Sequence, residues 1–272
     1  MHNYKQTDVW EDLCKRAYTQ VPFPMGKEQI QIVMGSFFEF LSLSDEVKRC
    51  MDMKIASKHR RGDLGYKQRF PEDDMYNDSK EFFHYHPVLM SHYGDYIKTQ
   101  PIIQNFLIQA EPLWQAVYDV VKETLSCFET RFPNTLAKVF DTQVPHIILR
   151  FLKYDFATSG SYLAKPHFDA GSFTLAIAES SPGLRIGTNP DNLMAVEHEE
   201  NKALFMVSSN YRKVIDTGLL NPGWHDVIQL DSNYVGKPFS RWALVAFIDG
   251  HDVEALSRSE THRWFKSESD EK

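Results

Sequence analysis

The sequence predicts a mainly β fold with flanking helices, in which a barrel or a double-sheet jelly roll follows helical segments. From His146 onward, short β-rich segments succeed one another and are separated by Gly, Pro and Asn. Such a series of short strands is typical of barrels and jelly rolls. Ahead of it, apolar residues recur at helical spacing between Ile102 and Phe132. We therefore expect strands at 146–154, 161–168, 172–178, 183–187, 193–196, 203–208, 212–215, 224–230 and 239–248.

The part of the chain before the expected strands is predicted to be mostly helical, with one irregular stretch. Apolar residues at roughly helical intervals in 28–53 indicate two helices, and Ser44-Asp45-Glu46 resembles the N-cap of the second. The strongest helical pattern, in 102–132, has an apolar face that should pack on a sheet. Residues 54–100 show no sustained period and predict loop with short strands.

The length of 272 residues is enough to bury a sizeable core, and we expect one structural unit. It is predicted to have three parts that share this unit. These parts are an N-terminal helical and loop support region at 1–145, a β core at 146–250, and a C-terminal segment and tail at 251–272.

The composition is that of an ordinary globular protein and argues against several classes of function. Hydrophobic residues make up 42% of the chain and charged residues 25%, far from the values of a disordered protein. The net charge of −7 argues against a nucleic-acid or membrane partner, since those surfaces select an excess of Lys and Arg. Three separated cysteines indicate neither a disulfide framework nor a zinc knuckle. With no apolar leader at its start, the chain is expected to be cytoplasmic.

A His-x-Asp pair and a later histidine are the residues most able to carry chemistry. In an extended strand residues i and i+2 face the same side, so His167 and Asp169 can both point inward while Phe168 points outward. With His225 they supply two imidazoles and one carboxylate, the facial ligand set of non-heme Fe(II) oxygenases. Taken alone, the pair could be a surface feature and His225 a hydrogen-bonded sheet histidine. The surrounding sequence decides between these interpretations.

Five sequence blocks, in order along the chain, match one known family. The blocks are Phe37-Phe38-Glu39-Phe40-Leu41-Ser42-Leu43, Gly65-Tyr66 followed by Asp78-Ser79-Lys80-Glu81-Phe82-Phe83, Pro166-His167-Phe168-Asp169-Ala170-Gly171-Ser172-Phe173-Thr174-Leu175, Gly183-Leu184-Arg185-Ile186, and Gly218-Leu219-Leu220 leading to Trp224-His225-Asp226-Val227. Together they resemble the isopenicillin N synthase-like (plant-type) branch of the Fe(II)/2-oxoglutarate-dependent oxygenases. One block alone would be weak support, but five in order across about residues 30 to 250 are specific.

The resemblance implies a double-stranded β-helix (jelly roll, cupin-like) core with N-terminal helical support. It implies that His167, Asp169 and His225 are the catalytic residues and bind Fe(II), each deprotonated at its ligating atom. Arg241 would hold the distal carboxylate of 2-oxoglutarate, and the Tyr154 hydroxyl would be a second donor to it. The implied reaction hydroxylates or desaturates a small-molecule substrate with dioxygen and releases succinate and CO₂.

Three departures from the family pattern bear on the cosubstrate and the substrate. The family's Arg-x-Ser is Arg241-Trp242-Ala243 here, so one hydroxyl donor to the cosubstrate is missing. The segment between His225 and Arg241 is longer than usual and contains an apparent inserted loop at 231–236. Phe247 stands where a nucleic-acid demethylase of this family would have a second arginine, which argues against that branch.

The irregular stretch 60–92 is expected to supply the substrate pocket together with the segment after Gly250. The side chains predicted to line that pocket are Tyr66, Arg69, Phe70 and Phe83. Other residues of the stretch receive structural interpretations. Lys80 and Glu81 are interpreted as a structural pair, and His84, His86 and His92 as residues that bind no metal.

Two other functions stay open on the sequence alone. One is an oxidase that, like isopenicillin N synthase, uses no keto acid, and the other is a catalytically silent jelly-roll module that binds a small ligand or a protein partner. The absent serine hydroxyl at Ala243 favours both weakly, whereas the intact metal triad argues against a silent module. A zinc hydrolase with the same three ligands is disfavoured, because no nearby residue is placed as a dedicated general base.

Overall fold

Two antiparallel sheets and a layer of helices make up the described part of the chain. The computed structural model describes residues 6–55, 64–70, 79–155, 159–230, 239–251 and 253. The strands are β1 (Tyr18–Pro22), β2 (Gly65–Arg69), β3 (Lys80–Tyr85), β4 (Ile147–Tyr154), β5 (Tyr162–His167), β6 (Phe173–Glu179), β7 (Leu184–Gly187), β8 (Met194–Ala195), β9 (Lys202–Val207), β10 (Trp224–Ile228) and β11 (Arg241–Ile248).

The helices come almost entirely before the core strands, as the apolar periodicity predicts. They are α1 (Gln6–Arg16), α2 (Lys27–Leu41), α3 (Asp45–Lys48), α4 (Val88–His92), α5 (Gly94–Lys98), α6 (Pro101–Glu129) and α7 (Thr135–Phe140). The helix α6 begins with proline, whose fixed φ suits the first turn of a helix. No helix in the described ranges is both long enough and apolar enough to cross a membrane.

The strand order confirms the predicted jelly-roll fold class. The larger sheet has the order β1-β9-β6-β11-β4-β3-β2, and the smaller one has the order β5-β10-β7-β8. All the pairings between neighbours are antiparallel. Consecutive strands therefore alternate largely between the two sheets, which is the topology of a double-stranded β-helix. The first three strands belong to the larger sheet, so the region before residue 145 contributes to the sheet as well as supporting it.

The larger sheet separates two apolar cores. On its helical side lies a cluster of phenylalanine rings, where Phe106 of α6 contacts the rings of Phe37, Phe40, Phe83 and Phe151 at centroid distances of 4.9 to 5.7 Å. Its other side faces the smaller sheet. That inner core is built from smaller side chains of both sheets, among them Leu152, Leu163, Ala164, Ala176, Leu184, Ile186, Leu204, Val227 and Ala243.

The predicted elements differ from the structure in several places. Eight of the nine predicted strands overlap an observed strand, but 212–215 was wrong, because Tyr211–Lys213 forms a 3₁₀ turn. The backbone N–H of Ile215 donates to the Tyr211 carbonyl, and the buried Tyr211 hydroxyl donates to the Leu220 carbonyl, which holds this turn. The sequence also failed to indicate α1, β1 and α7, and the stretch 54–100, predicted as loop with short strands, contains the helices α4 and α5. The insertion at 231–236 and most of the tail at 251–272 lie outside the described residues.

Replacing Phe106 with alanine is expected to lower the free energy of unfolding by about 3–5 kcal/mol, because four aromatic neighbours lose their contact partner. Urea denaturation followed by circular dichroism measures the loss. Ile108→Ala in the same helix is the matched control, since Ile108 is 48% exposed and should change stability by less than about 0.5 kcal/mol. Similar losses in both variants would contradict the packing described here.

Candidate metal centre

The structure brings the three predicted metal ligands together at the end of the smaller sheet. His167 is the last residue of β5 and pairs directly with His225 of β10. Asp169 follows two residues after β5, and its Oδ2 lies 3.8 Å from His225 Nε2. The ligand atoms of all three residues lie within 4.8 Å of one another. Among the described residues, no other group of three His, Cys, Asp or Glu side chains is placed to hold a metal ion.

Both imidazoles are oriented by backbone carbonyl groups. His167 Nδ1 lies 2.6 Å from the Lys165 carbonyl oxygen, and His225 Nδ1 lies 2.9 Å from the Gly223 carbonyl oxygen. A carbonyl oxygen can only accept, so each Nδ1 carries the proton and donates. The Nε2 atom of each ring is therefore unprotonated in the neutral form. Such outer hydrogen bonds fix the tautomer of metal-binding histidines.

The carboxylate of Asp169 is held by a polar chain that reaches into the larger sheet. Thr174 of β6 donates its hydroxyl to Asp169 Oδ2 at 2.8 Å, and Ser208 lies 2.9 Å from the same threonine oxygen. The Asp169 backbone is also fixed, since the N–H of Ser209 donates to its carbonyl at 3.0 Å. The Asp169 carboxylate is thus oriented by a hydroxyl donor from the larger sheet.

This donor set fits a mononuclear transition-metal site. Two imidazole nitrogens and one carboxylate oxygen suit Fe(II), and both histidines are already in the tautomer that ligation needs. Asp169 is 7% exposed, so much of its hydration is lost and a bound cation would compensate its charge. Three protein ligands leave further coordination positions for small molecules.

The triad lines a cavity between the two sheets, and one face of the larger sheet forms its opposite wall. In β11 the cavity side chains are Arg241, Ala243, Val245 and Phe247, as expected for period-2 alternation. The neighbouring strands add matching rows. From β4 these are Arg150, Leu152 and Tyr154, and from β3 the cavity wall includes Lys80. The intervening β11 residues Leu244, Ala246 and Ile248 pack instead in the helical core.

Arg241, predicted to hold a cosubstrate carboxylate, is buried in this cavity and 2% exposed. Its Nη2 donates to the carboxylate of Glu179, the last residue of β6, whereas Nε and Nη1 have no hydrogen-bond partner among the described residues. Burial raises the pKa of the Glu179 carboxyl, and the Arg241 charge opposes that rise. One carboxylate therefore already contacts the guanidinium, which keeps other donors for a second.

Tyr154 lies beside Arg241, as the sequence predicts for a second donor. The two residues are directly paired between β4 and β11, and Tyr154 is also paired with Lys80 of β3. Lys80 Nζ lies 5.7 Å from the Tyr154 ring centroid. Lys80, Tyr154 and Arg241 thus form a row across the sheet at one end of the cavity. Ala243 lies in the next row and contributes only a methyl group.

Several residues of the stretch 60–92 are not where the sequence analysis expected them. Tyr66 and Phe83 are buried in the helical core and do not line the cavity, and Phe70 is 45% exposed. Lys80 and Glu81 are no structural pair, since adjacent residues of a strand face opposite sides. Glu81 accepts from Tyr66, Lys48 and Lys153 on the far side of the sheet, while Lys80 lines the cavity.

Two of the three histidines predicted not to bind metal, His84 and His86, are buried and hydrogen-bonded within the protein. His86 lies 3.0 Å by its Nε2 from the Pro145 carbonyl, and burial lowers its pKa to about 4. His84 accepts a hydrogen bond from Arg150 on the cavity side of β3. His92, the last residue of α4, is exposed, packs on the Tyr93 ring and is not among the residues that line the cavity. The cavity residues that sequence reasoning missed are Thr174, Glu179, Arg150 and, as a lining residue, Lys80.

A larger cleft of about 680 Å³ lies on the outer side of the same sheet, between α2 and the segment 198–202. It contains none of the triad residues. Glu179 lines both this cleft and the cavity, so its side chain belongs to the wall that divides them. The chemistry-bearing residues converge in the smaller space, and we place the functional site there.

Comparisons of the amino-acid sequence with known proteins give no match, either to a family model or to a curated protein. Comparison of the structures gives many. T7H of Neurospora crassa, solved with α-ketoglutarate and 5-formyluracil, superposes with a TM-score of 0.68 at 15% identity, over 94% of this chain and 84% of that one. DAO1 of Arabidopsis thaliana, a dioxygenase for auxin oxidation solved with 2-oxoglutarate, gives 0.66 at 15% identity, over 94% and 92%.

A third solved structure of this shape contains both a metal and a cosubstrate. JOX2, solved with 2-oxoglutarate, iron and JA, superposes with a TM-score of 0.67 at 13% identity, over 94% of this chain and 76% of that one. These likenesses extend over nearly the whole chain, helices included. They confirm the fold class that the sequence predicts.

Removing the hydroxyl that donates to the Asp169 carboxylate is expected to weaken metal binding without abolishing it. Thr174→Val should lower Fe(II) affinity about 10–100-fold, the usual effect of losing an outer hydrogen bond to a ligand. Thr174→Ser should restore most of the affinity, because it returns the donor. Anaerobic calorimetric titration with Fe(II) measures all three proteins.

The same titration distinguishes ligands from other histidines. His167→Ala and Asp169→Ala are expected to lose specific Fe(II) binding while their circular dichroism spectra stay unchanged. His92→Gln is the control, since His92 is exposed and is not among the residues that line the cavity. Wild-type affinity in either triad variant would remove that residue from the metal site.

Proposed function

We propose that this protein is an Fe(II)- and 2-oxoglutarate-dependent dioxygenase that hydroxylates or desaturates a small organic substrate. The observation that carries the proposal is that one cavity contains both a facial His-Asp-His triad and a buried arginine. The metal ligands would be His167, Asp169 and His225, and the cosubstrate would be held by Arg241 and Tyr154. The blocks of sequence described above favour the isopenicillin N synthase-like branch.

The structural neighbours support the cofactor assignment. T7H and DAO1 were solved with the keto acid, and JOX2 with the keto acid and iron. These proteins have the same fold as this chain, and here the same fold carries a ligand set suited to Fe(II). Three unpaired cysteines, Cys14, Cys50 and Cys127, fit the proposed cytoplasmic location.

The residues of this chain would contribute binding, orientation and exclusion of water. When bound, Fe(II) supplies redox chemistry that couples dioxygen reduction and keto-acid decarboxylation, to succinate and CO₂, with oxidation of a substrate C–H bond. The two unprotonated Nε2 atoms and the Asp169 carboxylate lie within 4.8 Å of one another and would together hold the ion. Arg241 Nε and Nη1 are placed to donate to a carboxylate in the geometry that a planar guanidinium favours.

The lining of the cavity would protect the reactive centre from solvent. Apart from the polar groups already named, the walls are apolar and include Ala164, Ala176, Leu184, Met206, Val227 and Ala243. An apolar lining strengthens the attraction between Arg241 and a carboxylate, because the effective dielectric constant is low. It also limits side reactions with water.

One observation favours a second candidate, an oxidase that uses no keto acid. The Glu179 carboxylate already accepts a hydrogen bond from the Arg241 guanidinium, and Ala243 supplies no hydroxyl donor. In such an oxidase the ion pair would be a permanent part of the wall. The metal site would be unchanged, so cosubstrate binding is the property that distinguishes the two functions.

Anaerobic addition of 2-oxoglutarate to the Fe(II)-loaded protein is expected to produce the visible charge-transfer band of a keto acid chelated to iron. Arg241→Met should raise the keto-acid dissociation constant about 100-fold, because losing one member of a buried charge pair costs 2–5 kcal/mol. Arg131→Met, at an exposed arginine of the helical region, is the matched control. Iron binding without the band would reject the keto acid and leave the oxidase.

Glu179→Gln is expected to tighten 2-oxoglutarate binding several-fold, since it removes a negative charge beside Arg241 and keeps a hydrogen-bond acceptor there. The dissociation constant from the same spectroscopic titration is the measure. Weaker binding in this variant would show that the Glu179 carboxylate helps to place Arg241 for the cosubstrate.

A further inference from the structure

A short buried segment at the end of β9 holds the backbone of the loop that contains Asp169. Residues 208–210 follow the last residue of β9, and each of them is 2% exposed. All four backbone carbonyls of residues 169–172 accept a hydrogen bond from this segment, which matters because a buried carbonyl without a partner is costly. The bonds join Ser209 N–H to Asp169 at 3.0 Å, Asn210 N–H to Gly171 at 2.9 Å, Ser208 N–H to Ser172 at 2.9 Å, and the Asn210 side-chain amide to Ala170 at 3.4 Å.

The Ser208 hydroxyl adds a side-chain contact that ends at the Asp169 carboxylate. A hydroxyl group has a single hydrogen to donate. Thr174 donates its hydrogen to Asp169 Oδ2, so its oxygen accepts the hydrogen of Ser208 at 2.9 Å. Both bonds therefore run in one direction, from Ser208 to Thr174 to Asp169. Because hydrogen bonds in such a chain polarise one another, Ser208 strengthens the bond that Thr174 makes.

The same strand end also supports the second candidate histidine ligand. The Val207 carbonyl accepts from the N–H of Gly223 at 3.0 Å, and the Gly223 carbonyl accepts from His225 Nδ1 at 2.9 Å. Gly223 lies close against β9, since a Cβ at this position would be 3.1 Å from the Cβ of Met206. The carbonyl group that orients His225 is therefore attached to the segment that holds the Asp169 loop.

The segment is anchored on both of its sides by protein contacts. Before it, β9 pairs with β1 and with β6. After it, the 3₁₀ turn begins, in which the Tyr211 N–H donates to the Ser208 carbonyl and the Lys213 N–H donates to the Asn210 carbonyl. These contacts involve no ligand, so the arrangement is built into the fold.

We propose that residues 207–210 position two of the three candidate metal ligands, Asp169 and His225, and that Ser208 is a positioning residue that acts on Asp169 through Thr174. This inference rests on the metal site of the proposed function. Ligands that are already held in place lose little conformational freedom on binding, so the segment raises metal affinity. His167 is outside this arrangement, because the Lys165 carbonyl of its own strand orients its Nδ1.

The test measures Co(II) binding, since Co(II) is an oxygen-stable substitute for Fe(II) and its visible spectrum reports the geometry of its ligands. Ser208→Ala should weaken Co(II) binding about 3–10-fold in calorimetric titration and change the spectrum, because one supporting hydrogen bond is lost. In a Thr174→Val background the same substitution should change the affinity less than about twofold. A residue that acts only through Thr174 has no further effect once the Thr174 hydroxyl is absent.

Ser36→Ala is the matched control. Ser36 is 5% exposed in α2 and donates its hydroxyl to the Val33 carbonyl, but it is not among the residues that line the cavity. Its Co(II) affinity and spectrum should equal those of the wild-type protein. Circular dichroism checks that each variant is folded. If Ser208→Ala is unfolded, Ser208→Cys takes its place, because it keeps a similar size with a weaker donor.

The outcomes separate this inference from the proposed function. Wild-type affinity and spectrum in the Ser208 variant, additive losses from Ser208→Ala and Thr174→Val, or an equal loss in Ser36→Ala would overturn the inference. If Co(II) binding depends on Ser208 but 2-oxoglutarate gives no band with Fe(II), only the proposed cosubstrate is wrong. If the band forms and Ser208→Ala binds metal like the wild type, only the positioning role is wrong. A wild-type protein that binds neither metal overturns both.

Discussion

The antiparallel register between β5 and β10 is the constraint on which the candidate site depends. It sets His225 directly opposite His167, with ring centroids 4.3 Å apart. A slip of one residue would turn one imidazole out of the cavity, because side chains alternate along a strand. Gly183 lies against Ile228, the last residue of β10. It has φ +135°, and a Cβ at this position would be 2.4 Å from the Ile228 carbonyl oxygen. Only glycine permits that approach.

The larger sheet gives the cavity its polarity through the same alternation. Rows that cross β3, β4 and β11 place cations at Lys80 and Arg241 in one row and at Arg150 in another, with Ala243 between them. Residues one position away face the helices, and apart from the paired Glu81 and Lys153 they are apolar or aromatic. One continuous sheet therefore separates a core that stabilises the fold from a cavity wall that carries charged side chains. Packing of α6 on the helical face of this sheet fixes the position of the face that lines the cavity.

The candidate metal ligands could be predicted from sequence because the strand alternation and the family blocks both involve His167, Asp169 and His225. The opposite wall of the cavity could not be predicted, because β3 has aromatic residues on both faces. Its sequence pattern therefore does not reveal which face lines the cavity. Phe82 and Phe83 have the same hydrophobicity, yet only the pairing with β4 decides that Phe83 faces the helices. The strand β1 was missed for a related reason, since its partner β9 lies far along the chain.

Glu179 shows how a residue that is ordinary by its sequence context can have a specific role in the structure. By sequence it is the polar end of a strand, and by structure it is the counter-ion of a buried arginine. Without it, Arg241 would be a buried cation in an apolar wall, which costs several kcal/mol if uncompensated. The ion pair therefore allows the arginine to remain placed before any ligand binds. The same pair opposes a second carboxylate, and the nearby Lys80 counters that effect with a further positive charge. The balance of these three side chains, more than the missing hydroxyl at Ala243, sets how strongly this end of the cavity attracts an anion.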